Sequence, residues 1–142
     1  MIHRLATKGD TSLLAAMNLQ LIRDEGHRNS MSLGQLQERM AGWLDGGYRA
    51  VLFEQEDDVI GYVLYKPEPE WLYLRQFFIA PDYRRQGFGR RAMNRLMSDL
   101  WKDAARIRLD VLSGNDVAIA FWRSVGFEAY CLTMERDRSR AC

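Results

Sequence analysis

Cysteine, histidine and proline are scarce in this chain, with two, two and three among 142 residues. The cysteines are Cys131 and the terminal Cys142, a poor pair for a disulfide. Both read as free thiols of a reducing compartment, and a cytoplasmic location is the expectation. No metal site is expected. No Pro/Ser-rich linker, low-complexity tract or repeat interrupts the chain, so residues 1–142 are expected to form one domain, long enough to bury a real core. No stretch approaches the ~20 apolar residues of a membrane span, so no membrane partner is expected. Neither sign of charge dominates: the formal net charge is +1, which excludes a domain-wide nucleic-acid footprint. There is also no Lys-Ser/Thr pair after a glycine, as a nucleotide P-loop requires.

What is present is a regular succession of helix and strand signals. Residues 2–6 read as a short strand, and 10–23 as a helix with Leu14, Met17 and Leu21 on one face. Ser32-Leu33-Gly34-Gln35 has the capping-box form and opens a second helix carrying Leu36, Met40 and Trp43. Segments 48–54 and 59–65 are β-branched and aromatic around a polar turn, which reads as a hairpin. A strand at 71–79 follows. The next helix carries Phe88, Ala92, Leu96 and Leu100 beside Met93, Met97 and Trp101. Segment 106–112 reads as a strand. Asn115 suits the N-cap of a short helix, and Gly126 its left-handed C′ position. A last strand is expected at 127–135. The order β-α-α-β-β-β-α-β-α-β argues for an α/β (α+β) mixed sheet covered on both faces.

The segment Arg84-Arg85-Gln86-Gly87-Phe88-Gly89 stands between a strand and a helix. A helix start offers backbone N–H groups and a favourable dipole to an anion, and the glycines permit close backbone approach. Gly87-Phe88-Gly89-Arg90-Arg91-Ala92 fits the dinucleotide fingerprint G-x-G-x-x-A, with Asp110 near the end of the next strand. That fingerprint, however, turns directly off its strand, whereas Ala80 to Gln86 intervene here. A dinucleotide fold also needs more βα units than this chain supplies.

A longer pattern accounts for more of the chain. Phe77-Phe78-Ile79-Ala80-Pro81-Asp82-Tyr83-Arg84-Arg85-Gln86-Gly87-Phe88-Gly89 resembles the acetyl-CoA motif of the GNAT superfamily of N-acyltransferases, with its apolar strand end, proline and R/Q-x-x-G-x-G/A. Asn115 to Phe127 resembles the family's N-x-x-A-x-x-[FL]-Y-x-x-x-G-F helix. The resemblance implies a GNAT-like, mostly antiparallel sheet with helices on both faces and strands that splay after segment 71–79. It implies direct acetyl transfer from acetyl-CoA to a primary amine on a small molecule or peptide. Backbone groups of Phe77, Phe78 and Ile79 would bond the pantetheine arm. Arg84, Arg85, Gln86, Gly87, Phe88, Gly89 and Arg90 would cradle the pyrophosphate, and Asn115 and Phe121 would contact the cofactor. A homodimer fits this element set, although no residue pattern selects it.

The resemblance has one gap. Where the family carries a tyrosine acid, this chain has Trp122, whose indole cannot donate a proton. Tyr130, Tyr83 or water would then protonate the leaving thiolate, or it would leave unaided. Asp110, five residues before Asn115, matches the position of a family glutamate base, or else pairs with a neighbouring arginine. Glu25, His27 and Trp71 fall where the family places its acceptor. Because of Trp122, an acyl-CoA-binding module with little turnover stands beside the enzyme reading, with the dinucleotide oxidoreductase as a further alternative.

Overall fold

The computed structural model describes residues 1–139; Cys142 lies outside the described residues. The chain packs as two compact units, Met1–Leu112 and Ser113–Cys142.

In the first unit, β1 (Ile2–Leu5), α1 (Thr11–Glu25), α2 (Leu33–Asp45), β2 (Arg49–Gln55), β3 (Asp58–Pro67), β4 (Leu72–Ile79), α3 (Phe88–Ser98) and β5 (Ile107–Arg108) follow in chain order. The sheet order is β1-β2-β3-β4-β5. The first four strands pair antiparallel, and β5 joins β4 parallel. This is the mixed, mostly antiparallel sheet expected from the element order.

Strand alternation assigns the two faces. Ala50, Leu52, Tyr62, Leu64 and Phe78 point to one side, where Leu14 and Met17 of α1 and Met40 of α2 complete a buried cluster. The intervening residues point the other way. There Tyr65 meets Trp101 edge-on at 5.2 Å between ring centroids, and Phe53 meets Phe77 at 6.2 Å. Trp101 is 1% exposed, just past the end of α3. The helical pattern continues through Leu100 and Trp101, but α3 stops at Ser98, and Met97 and Leu100 are exposed.

Local signals are realised where the chain satisfies its own backbone. The Ser32 hydroxyl accepts from the Gln35 N–H at 3.2 Å, and the Gln35 side chain accepts from the Ser32 N–H at 2.8 Å. The β2–β3 turn places Glu56 and Asp57 at φ 50° and 70°. A two-residue hairpin turn demands this left-handed geometry, and glycine supplies it at the lowest cost. Asp57→Gly is therefore expected to stabilise the protein by a few tenths to about 1 kcal/mol, read from urea midpoints.

Two features shape β4. The β3–β4 register slips between Leu64 and Tyr65, so Arg75 is an extra residue on β4. In addition, β5 pairs only with Leu72 and Tyr73. The strand expected at 106–112 thus contracts to two residues, because its ladder ends where β4 continues alone.

The second unit contains α4 (Asp116–Ser124). The Asn115 side chain caps it, accepting from the Ala118 N–H at 3.1 Å, and Gly126 follows at φ 102°. Trp122 packs edge-on against Phe121 (5.0 Å) and Phe127 (5.3 Å). The expected strand 127–135 does not form. No ladder joins the segment among the described residues, and its apolar residues Tyr130, Leu132 and Met134 are exposed. Strand-forming residues alone give extended chain; a strand also needs a partner edge.

Candidate active site

Past Tyr73, β4 keeps one edge without a strand neighbour among the described residues. The Ala80 N–H donates to the Ile60 carbonyl at 2.7 Å. Backbone polar groups alternate sides along an antiparallel strand, so Phe78 and Ala80 face β3 while Phe77 and Ile79 face away from it. The Ile79 carbonyl confirms the direction, since it accepts from Arg84 Nε at 2.7 Å. Two amide N–H groups, those of Phe77 and Ile79, therefore line the open edge.

The chain leaves this edge through a short 3₁₀ turn, Pro81–Tyr83, and enters α3 at Gly87. Arg85 and Gly87 both take left-handed backbone, at φ 60° and 81°. Gly87 is the N-cap of α3, and no side chain caps the helix. Its first-turn N–H groups thus point outward from a helix N-terminus, the arrangement that attracts phosphate. Phe88 is buried and anchors the turn, edge-on to Tyr83 at 5.8 Å. Gln86 donates to the Asp82 carbonyl at 2.9 Å. Tyr83 donates to Asp58 at 2.9 Å, which ties that phenol to the β2–β3 turn.

Arg84 departs from its expected role. Its N–H donates to the Pro81 carbonyl at 3.2 Å, and its guanidinium holds the Ile79 carbonyl and Asp24, the latter at 2.5 Å. Both are internal bonds, so Arg84 braces the turn against the end of α1. Arg85 is exposed and forms no ion pair among the described residues.

A phenol near the start of β4 meets a carboxylate just past the end of β5. The Tyr73 hydroxyl donates to Asp110 Oδ2 at 2.9 Å. Burial first, and then the bond to Asp110, push the Tyr73 phenol up to about 12. It is neutral at physiological pH and holds the carboxylate in place. Arg108, on β5, also stacks on Trp71 at 4.0 Å. The place of Tyr73 beside Asp110 follows from the parallel pairing of Tyr73 with Arg108, two residues before Asp110, which composition does not reveal.

Glu25 and His27 flank Gly26, which closes α1 at φ 65°. His27 is exposed, while Glu25 is half-buried. Burial holds the Glu25 carboxyl above the ordinary glutamate range, opposed by the nearby His27 charge. The folded state thus binds this proton more tightly than the unfolded chain. The resulting stability is fully present below the unfolded pKa of about 4.3 and is lost as pH rises through the folded value. A negative charge at a helix C-terminus is unfavourable in the same direction. Glu25→Gln is expected to raise Tm by about 1–3 °C at pH 7 and to change it little near pH 4, measured by scanning calorimetry.

Asn115, Phe121, Trp122 and Tyr130 belong to the second unit. Asn115 serves as a helix cap, Phe121 and Trp122 are half-buried, and Tyr130 is exposed in the segment after α4.

Residues 16–127 match the model of the Acetyltransferase (GNAT) family. A curated relative, the [ribosomal protein bS18]-alanine N-acetyltransferase of Escherichia coli K12, is 42% identical over 50 residues, a span of 34% of each chain. The match thus covers about a third of that relative's length. Among solved structures, a "possible acetyltransferase" of Clostridium difficile 630 superposes with a TM-score of 0.79 at 19% identity, over 96% of each chain. A predicted acetyltransferase of Clostridium acetobutylicum, solved with acetyl-CoA, gives 0.74 at 16% identity, over 96% of this chain and 95% of the other. The matched fold, the uncapped α3 start and the open β4 edge agree: the chain belongs to the GNAT acetyltransferase family, whose cosubstrate is acetyl-CoA.

Proposed function

We propose that the protein is an N-acetyltransferase that moves the acetyl group of acetyl-CoA directly to a primary amine. The observation that carries this reading is the continuity, within one unit, of the open β4 edge and the uncapped N-terminus of α3. The first suits the amide-rich pantetheine arm and the second its pyrophosphate. Outward N–H groups of Phe77 and Ile79 bind the arm, and one of them holds the thioester oxygen as it gains charge. The N–H groups of 85–90 and the Arg85 side chain take the pyrophosphate, with Gly87 and Gly89 allowing close approach. Phe78, Gln86 and Phe88 shape this stretch from behind. In the second unit, Asn115 and Phe121 are assigned to the cofactor. The family match runs through both units, which favours one working domain over 1–142.

The acceptor must lose a proton before its nitrogen attacks. A lysine-like amine costs roughly 4.6 kcal/mol to deprotonate at pH 7. Asp110, oriented by Tyr73, is the assigned base. The nitrogen bonds the acetyl carbon, the C–S bond breaks, and the electron pair leaves on sulfur. Tyr130 is the assigned acid for that thiolate. With an ordinary thiol pKa of about 8.5, unaided departure is the competing route, and Tyr130→Phe separates the two. Glu25, His27 and Trp71 are assigned to the acceptor side, and a cytoplasmic setting suits the exposed thiol of Cys131.

Thiol release from acetyl-CoA across a panel of peptides, polyamines, amino acids and aminoglycosides tests this reading, with the N-acetylated product identified by mass. Trp122 favours one second reading, a module that binds acyl-CoA with little turnover. Tight acetyl-CoA binding with no thiol release from any amine would establish it. Binding of NAD(H) but not CoA would overturn both.

A further inference from the structure

Two arginines of the first unit share an indole and lack an anion. Arg39 on α2 and Arg75, the extra residue of β4, place their guanidinium carbons 4.4 and 4.7 Å from the centroid of Trp43. Their hydrogen-bond partners are neutral. Arg39 donates to the Asn18 side-chain oxygen at 3.1 Å, and Arg75 to the Tyr48 hydroxyl at 3.2 Å. Among the described residues neither pairs with a carboxylate. Asp24 is held by Arg84, and Glu68 lies 3.7 Å from Lys66.

Donors are in excess here as well. Arg39 Nε is buried without a partner. Burial and the adjacent Arg75 charge both work against the Arg39 charge. Proteins rarely bury donors or crowd like charges without something to accept them. An anion in this place would satisfy the orphan donor and relieve the repulsion.

The position relative to the Tyr73–Asp110 pair gives that anion a meaning. Alternation puts Arg75, two residues on, on the same side of β4 as Tyr73. Tyr73 lies opposite Lys66, whose ammonium is 5.7 Å from the Tyr48 ring, and Arg75 lies 5.8 Å from that same ring. Two residues of strand separate Tyr73 from Arg75 by roughly 7 Å, comparable to the amine-to-carboxylate span of an extended ω-amino acid of about five or six carbons. Planar guanidinium groups stacked on an indole still present their edge N–H donors, which match a carboxylate.

We infer that Arg39 and Arg75, seated on Trp43, form a carboxylate subsite for the acceptor, so that the substrate class is a primary amine that also carries a carboxylate. This rests on the acetyltransferase reading.

The test is calorimetric titration of the full chain with N-acetylated ω-amino acids of two to six carbons, each against its primary amide. These products report acceptor-site binding without turnover. At least one acid is expected to bind at least ~10-fold tighter than its amide. Arg75→Gln should cut that ratio to within twofold, and Arg75→Lys should retain part of it. Arg39→Gln should act in the same direction as Arg75→Gln. Equal binding of acids and amides, no binding by any acid, or a preference that survives the Arg39→Gln/Arg75→Gln double variant would each overturn the subsite. Acetyl-CoA is titrated in parallel. Its retention without an acid preference sinks this inference alone. Its loss with the preference intact supports the anion subsite and sinks the enzyme reading.

Discussion

Gly89→Asp is expected to lower acetyl-CoA affinity at least ~100-fold while leaving thermal stability equal or higher. Gly89 is the second residue of α3, in the uncapped first turn. A carboxylate there stands where the pyrophosphate charge is to sit. Two unit charges at about 4 Å repel by ~4 kcal/mol at an effective dielectric of 20, more than the ~2.7 kcal/mol that a 100-fold loss requires. The same carboxylate favours the helix itself. An acid near the N-terminus contributes about 0.3–1 kcal/mol, and replacing a helical glycine recovers part of its entropy cost. Affinity and stability should therefore move in opposite directions, which a misfolded variant cannot do. The measurements are calorimetric titration with acetyl-CoA and Tm without ligand. A folded variant with undiminished affinity would remove the helix start from the cofactor site.

The elements legible in the sequence are those whose signals are local. The Ser32–Gln35 capping box, the Asn115 cap and the left-handed Gly126 each satisfy backbone within a few residues. The reading fails where the outcome depends on a distant edge. Segment 127–135 is rich in apolar and aromatic residues, yet a strand needs a ladder, and none is formed among the described residues. Segment 106–112 keeps only two paired residues, because β5 meets β4 only at Leu72 and Tyr73. Trp101 follows the helical spacing but is buried past the helix end, held by Tyr65 across the sheet face.

The site divides in the same way. The glycine-rich turn was legible because its backbone demands are written in residue types: Gly87 occupies the left-handed cap that it alone takes cheaply. The bond from Arg84 to Asp24 was not legible, because charge at a loop says nothing of its partner, and Asp24 lies 60 residues away in sequence. The Arg39–Trp43–Arg75 cluster was invisible for a further reason. It exists only because the β4 bulge turns Arg75 toward α2, and strict alternation assigns that side chain no such neighbour.

Asp110→Asn is expected to lower kcat by about 10²–10³, within the usual range for loss of a general base, with acetyl-CoA affinity within twofold. Asp110 lies just past the end of β5, bonded to Tyr73 and away from the α3 turn in sequence, so cofactor binding gives a control on the same variant. The acidic limb of the pH–rate profile, set by the base in the wild-type protein, should disappear. A second readout reports the hydrogen bond directly. The Tyr73 phenol is pushed up to about 12, chiefly by burial and then by its bond to the Asp110 carboxylate. With a neutral amide in place, the carboxylate contribution vanishes and burial persists, so the phenol should titrate lower yet still above the ordinary 10. Ultraviolet titration of the phenolate, with Tyr73→Phe as the blank, measures this. Tyr73→Phe keeps the carboxylate and loses only its orientation, so it should cost less in kcat than Asp110→Asn and leave the acidic limb in place. If Asp110→Asn shifts the phenol but not the pH–rate profile, the pair is a structural contact and the base lies elsewhere. Glu25, whose carboxyl burial already holds above the ordinary range, is then the group to replace next.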